Sequence, residues 1–220
     1  VNKLAEYIVS KGARQRTILH QRKYPDPDFN AGTFYREAGE AIGRYLADGA
    51  VDSSILDKQA AILKQKPADN IGTSRRLNAN IDAIERFSNM LDDVDLCGAE
   101  PALGSNYAEK MTFGNVAISV RPELILRGTG AKGRKFVGGI KLHFSTQYAH
   151  GPESAGYVSA VVQEFCRLHI AQDEELVSPE YCAVYDVGSG TIFQGVKATK
   201  ARLKDIQAEC LNIAGIWSTL

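Results

Sequence analysis

The segment Leu124–Phe144 reads LILRGTGAKGRKFVGGIKLHF. Gly128, Gly130 and Gly133 satisfy G-x-G-x-x-G, and the same run is close to a Walker A with Arg134 in place of the lysine. A phosphate cradle of either kind needs a strand before the glycines and a helix directly after, whose free N-terminal donors hold the anion. Here the glycines are followed by Phe136–Phe144, rich in β-branched and aromatic residues, which is a strand pattern. The segment is therefore expected to be a β-hairpin whose loop is basic and glycine-rich.

The faces of that hairpin follow from the two-residue period of a strand. On Glu123–Arg127, Glu123, Ile125 and Arg127 share one face, and Leu124 and Leu126 the other. On the next strand Ile140, Leu142 and Phe144 are the apolar set, so Gly139, Lys141 and His143 point the opposite way. An acid on one strand can thus meet a lysine and a histidine on its neighbour. A lysine in mid-strand among apolar residues is unusual. It reads either as a site residue or as an edge-strand charge that deters aggregation.

Outward from the hairpin, the period of the apolar residues changes twice. Before Tyr107 it is helical: Leu4, Tyr7 and Ile8 give a short amphipathic turn, Thr33–Ala47 a helix, and Asp52 or Ser53 caps another to about Lys64. Pro25 and Pro27 prevent helix between the first two, and Pro67–Gly72 is a further break. Thr73–Leu91 has the clearest stripe, Leu77, Ile81, Ile84, Ser88 and Leu91, with Glu85 on the adjacent face. Asp92–Tyr107 reads as linker. Met111–Val120 then alternates around a Gly114-Asn115 turn or bulge. Pro152–Ala171 is expected to be a helix, Tyr181–Val187 and Thr191–Val196 strands, and Ala198–Trp217 a closing helix. The order implies an α/β or α+β fold, a mixed central sheet flanked by helices, with an N-terminal helical annex over 1–72 and a core over 73–220.

Composition narrows the chemistry. The 220 residues carry 26 Lys+Arg and 26 Asp+Glu, so no global field attracts nucleic acid. Locally, residues 1–23 hold six Lys/Arg against one Glu, and Arg127–Lys135 holds four basic residues and no acid. No apolar run is long enough to span a membrane, and the first residues show no signal-peptide pattern. Cys97, Cys166, Cys182 and Cys210 lie far apart, which argues against a metal cluster or disulfide framework and for reduced thiols in the cytoplasm. Ser189 lacks a strand-to-helix context, Cys166 falls on an apolar helix face, Glu174 and Glu175 read as solvated loop charge, and His20, His150 and His169 show no ligand spacing.

RPELIL (Arg121–Leu126), the basic glycine loop, GGIKLHF (Gly138–Phe144) and the helix after it resemble the core of the PD-(D/E)XK nuclease-like superfamily. In that family a helix with a glutamate precedes a hairpin whose second strand bears an acid, and the third strand carries (Asp/Glu)-x-Lys. The resemblance covers roughly residues 73–196. It implies Glu123 as acidic magnesium ligand, Lys141 as the lysine on the attacking water or scissile phosphate, and Glu85 as the helix glutamate. Gly139 stands where the family has its second carboxylate. Magnesium prefers hard oxygen ligands, so a relocated acid is needed, and Asp186 is the candidate, though an Asp before Gly-Ser-Gly also reads as a turn residue.

The expectation is a magnesium-dependent nuclease acting on DNA, with Arg127, Lys132, Arg134 and Lys135 as nucleic-acid contacts. The alternative is an inactive nuclease-fold module that binds DNA, a protein partner or a second copy of itself. In a third reading Glu123 and Lys141 are only a cross-strand ion pair.

Overall fold

The computed structural model describes residues 1–26 and 32–220; Pro27, one of the two prolines read as a helix break, lies outside them. The first third of the chain is helical: α1 (Asn2–Val9), α2 (Ala13–Lys23), α3 (Arg36–Ala47), α4 (Ser54–Gln65) and α5 (Ile71–Ser88). α5 begins two residues before the expected start, because the Asn70 side chain accepts from the Thr73 amide and caps it. Thereafter come β1 (Glu100–Leu103), β2 (Lys110–Phe113), β3 (Val116–Ser119), β4 (Leu124–Thr129), β5 (Lys135–His143), α6 (Pro152–Phe165), β6 (Glu175–Val177), β7 (Val184–Asp186), β8 (Thr191–Phe193) and α7 (Lys200–Ile216).

The central sheet is mixed, with order β1-β4-β5-β7-β8 and β6 also on β5. β1, β4 and β5 form an antiparallel meander. Beyond α6 the chain returns parallel to β5, first as β6 along Lys135–Val137 and then as β7 along Lys141–His143. The glycine loop is a hairpin connection: Thr129 pairs with Lys135, Gly130 N donates to Arg134 O at 2.8 Å, and Lys132 and Gly133 take φ of 62° and 72°. No phosphate-binding helix follows it.

Each face of the sheet buries its own layer. Leu124, Leu126, Ile140, Leu142 and Tyr185 pack under α3, α4 and α5, so the core runs across residue 72. On the other face Val184 and Cys182 meet α6, with α1, α7 and the β2–β3 hairpin completing that cluster. Among the described residues no helix is long and apolar enough to cross a membrane.

Three strand assignments differ from the sequence reading, the shortest being β6, which begins at Glu175 where the sequence reads as charged loop. Glu100–Leu103, inside the stretch read as linker, is the edge strand β1; it is short, mostly exposed and contains Pro101, so no apolar alternation betrays it. Met111–Val120 does not join the sheet. It forms a separate two-stranded hairpin whose turn, Gly114-Asn115, has positive φ at both residues (48° and 67°), the geometry that matches strand twist.

Candidate functional site

The register places Glu123, immediately before β4, across from Lys141 on β5, and pairs His143 on β5 with Asp186 on β7. All four side chains lie on the α6 face, opposite the leucine-rich one. Lys141 Nζ donates to Glu123 Oε1 at 2.5 Å and to the Arg121 carbonyl at 3.0 Å. The other carboxylate oxygen, Oε2, accepts the Leu142 amide at 2.7 Å. Both groups are largely covered, with 12% of the Lys141 side chain and 26% of the Glu123 side chain exposed. The cross-strand pair of the sequence reading is thus a closed unit in which each Glu123 oxygen already has a donor.

The chain supports this unit at some conformational expense. Arg121, which offers its carbonyl to Lys141, has φ 40°, an uncommon value for a residue other than glycine. From there Pro122 turns inward over β5. A β-carbon at Gly139 would lie 2.9 Å from Pro122 Cβ and 3.2 Å from the Leu124 carbonyl oxygen. The position at which the family resemblance asks for a second carboxylate is filled by a proline ring.

Glu85 does not join this group. It lies on α5, in the layer on the opposite face of the sheet, and takes Lys64 at 2.9 Å on the surface. Asp186 is fully buried and committed to the backbone: Oδ2 accepts the His150 amide and Oδ1 the Ser189 amide at 3.0 Å. It holds the turn after β7, as a strand-end aspartate before Gly-Ser-Gly does. Strand β5 separates it from Glu123, about two interstrand spacings or roughly 10 Å between backbones. Among the described residues no group of three or more His, Cys, Asp or Glu is placed to hold a metal ion. Magnesium is held by carboxylates that converge on it while it keeps several waters; Glu123 carries the Lys141 ammonium, and Asp186 is fully buried on the far side of β5. As arranged, these residues do not fit the ion.

Beside the ion pair lies a buried histidine pair absent from the sequence reading. His143 and His150 have ring centroids 4.1 Å apart and are 6% and 5% exposed. His143 Nε2 bonds the Tyr148 carbonyl at 2.9 Å, while His150 Nε2 has no partner. Burial depresses both imidazoles, against the pull of Asp186 for His143; His150 is pushed down to about 3 by burial, His143 and Lys3. The only sequence trace of this cluster was the alternation that put His143 on the Lys141 face. His150 arrives from a loop seven residues on, which no spacing rule links to it.

Helix α1 closes over the same end. Asn2 Nδ2 donates to the Leu142 carbonyl at 3.0 Å, so side chains of Asn2 and Glu123 cap both backbone groups of Leu142. Buried Glu6 pairs with Lys3 and Arg14, and the Arg14 guanidinium lies 3.5 Å from the Tyr148 ring centroid.

The four basic residues of the hairpin loop separate into two kinds. Arg127 is a structural tie: Nε donates to Glu175 at 2.9 Å and Nη2 to the Ile170 carbonyl at 3.1 Å. Glu175 is correspondingly not solvated loop charge; its side chain is 7% exposed, and its second oxygen accepts the Gln172 amide. Lys132, Arg134 and Lys135 are exposed at the hairpin tip. Cys166 is fully buried at the end of α6, a core residue. No protein-family model matches the chain, and neither a curated protein nor a solved structure matches it.

Proposed function

We propose that this chain is a nuclease-like scaffold that binds DNA without hydrolysing it. The element order supports the scaffold reading: helix α5, the meander β1–β4–β5, helix α6 and parallel strand β7 follow in the sequence the resemblance implies. The observation that carries the loss of hydrolysis is the filled position at Gly139, together with a Glu123 whose two oxygens are held by Lys141 and Leu142. A metal-activated water needs a cation site, and a single carboxylate already neutralised by a lysine ammonium, with no second acid converging on it, is a poor one.

DNA is favoured as partner by the hairpin tip. Lys132, Arg134 and Lys135 project from a turn with no acidic residue, a compact cationic knob suited to phosphate contacts. Fluorescence anisotropy with duplex DNA over a range of salt tests the reading. Each of Lys132→Gln, Arg134→Gln and Lys135→Gln should lower the slope of log affinity against log salt by about 0.9 if its cation displaces one counterion. Plasmid incubated with magnesium or manganese should remain intact. Metal-dependent cutting that Lys141→Ala abolishes would replace this proposal with the hydrolytic one.

A further inference from the structure

Helix α2 reads ARQRTILHQRK and contains no acidic residue in its first turn or beyond. Its buried residues, Ile18 and Leu19, face Tyr7 of α1 and Ile213 of α7. Outward, Arg16, His20 and Tyr24 recur at intervals of four, which stacks them along one line of the surface. The His20 and Tyr24 rings are 4.9 Å apart, and the Lys23 ammonium is 5.6 Å from the Tyr24 centroid. Arg16, His20 and Arg22 are all exposed.

Tyr24 is exposed yet anchored. Its ring is 53% accessible, while its hydroxyl donates to the Leu220 carbonyl at 3.1 Å. Lys23 Nζ fixes the same corner by donating to the Trp217 carbonyl at 2.7 Å and the Leu220 carbonyl at 3.0 Å. A ring held by its polar tip with its body in water loses little further freedom when something flat settles on it. The Lys23 ammonium beside the ring and Arg16 about two turns up the same line supply contacts for a flanking phosphate chain. Bases in a duplex hide their faces in the stack, whereas an unpaired base offers its face to an aromatic ring.

We propose that the Arg16–His20–Tyr24 stripe is a stacking platform for single-stranded nucleic acid. The inference rests on the DNA-binding reading above and adds to it a second surface and a strand form. Base stacking on Tyr24 supplies affinity that does not depend on sequence, and Arg16 and Lys23 track the backbone.

The test uses the full chain, with labelled oligothymidylate and a duplex of equal length compared by anisotropy. Tyr24→Leu is expected to weaken oligothymidylate binding by about 5- to 150-fold, the range for loss of one base–aromatic stack, and to leave duplex binding unchanged. Tyr24→Phe, which retains the ring, should keep most of the affinity. Arg16→Gln, a surface change that does not touch the fold, should lower the single-strand salt slope by about 0.7. If both Tyr24→Leu and Arg16→Gln bind oligothymidylate like the parent while Lys132→Gln still weakens the duplex, the platform is refuted and the hairpin-tip reading stands. If the parent chain binds neither nucleic acid, both readings fall.

Discussion

Pro122 occupies the space into which a side chain at Gly139 would project, with only 2.9 Å between the proline β-carbon and the position a new β-carbon would take. The contact is rigid on both sides, since the neighbouring Leu124 carbonyl oxygen, at 3.2 Å, belongs to the β4–β5 ladder. Gly139→Ala should therefore destabilise the fold by about 1–3 kcal/mol, the usual range for forcing extra volume into a packed site. Pro122→Gly, which removes the ring together with its β-carbon, should absorb part of that loss. In a double-mutant cycle by urea denaturation the two substitutions must couple favourably; strict additivity would show that Pro122 is not what fills the position.

The ion pair gives an ordered prediction because its two halves are unequally committed. Lys141→Met leaves Glu123 with the Leu142 amide and partial access to water, and should cost about 1–2 kcal/mol. Glu123→Ala leaves a lysine that is 12% exposed without its carboxylate and the Leu142 amide without an acceptor, and should cost about 2–4 kcal/mol. Equal losses, or a larger loss for Lys141→Met, would contradict the assignment of Glu123 as the group that holds both Lys141 and the Leu142 amide on β5.

Much of this arrangement was legible in the sequence. Two-residue alternation alone placed Glu123, Lys141 and His143 on one face and identified the glycine run as a hairpin loop, since local strand pattern and the absence of a following helix are nearest-neighbour information. What escaped were features that depend on contacts distant in sequence. Pro122 reads as an ordinary residue before a strand until β5 is laid beside it. Asn2 caps Leu142 across 140 positions, and Glu175 meets Arg127 across 48. Glu85 fell on a plausible helix face, yet the layer its helix occupies is fixed by the burial of Leu77, Ile81 and Ile84 against Leu124 and Leu126, on the far side of the sheet.

The buried histidines contribute to the acid limb of the stability curve. An imidazole whose pKa lies near 6.5 when unfolded and at about 3 in the fold, as for His150, binds its proton preferentially in the unfolded state. The stability it contributes is complete above pH 6.5 and is lost as pH falls from 6.5 toward 3, by up to about 1.4 kcal/mol per unit for each such group. His143 shifts in the same direction. His150→Phe keeps a ring against His143 and removes the titration, so its urea midpoint should fall less steeply than the parent's between pH 6 and pH 4. Parallel curves for the two proteins would mean that His150 is not held neutral.

Arg127 and its loop neighbours separate structure from binding. Arg127 spans from β4 to Glu175 on β6 and to the Ile170 carbonyl beyond α6, so Arg127→Gln should lower stability by about 1–2 kcal/mol. Its guanidinium is already engaged by protein acceptors, and the salt dependence of duplex binding should be unchanged. Arg134, exposed at the tip, should behave in the opposite way, with an unaltered urea midpoint and a shallower salt slope for Arg134→Gln. The two arginines stand seven positions apart in a run whose charges look equivalent on paper. A salt slope that falls for Arg127→Gln as much as for Arg134→Gln would place the phosphate contact along the hairpin's flank and detach Glu175 from its role as the partner that holds Arg127 in place.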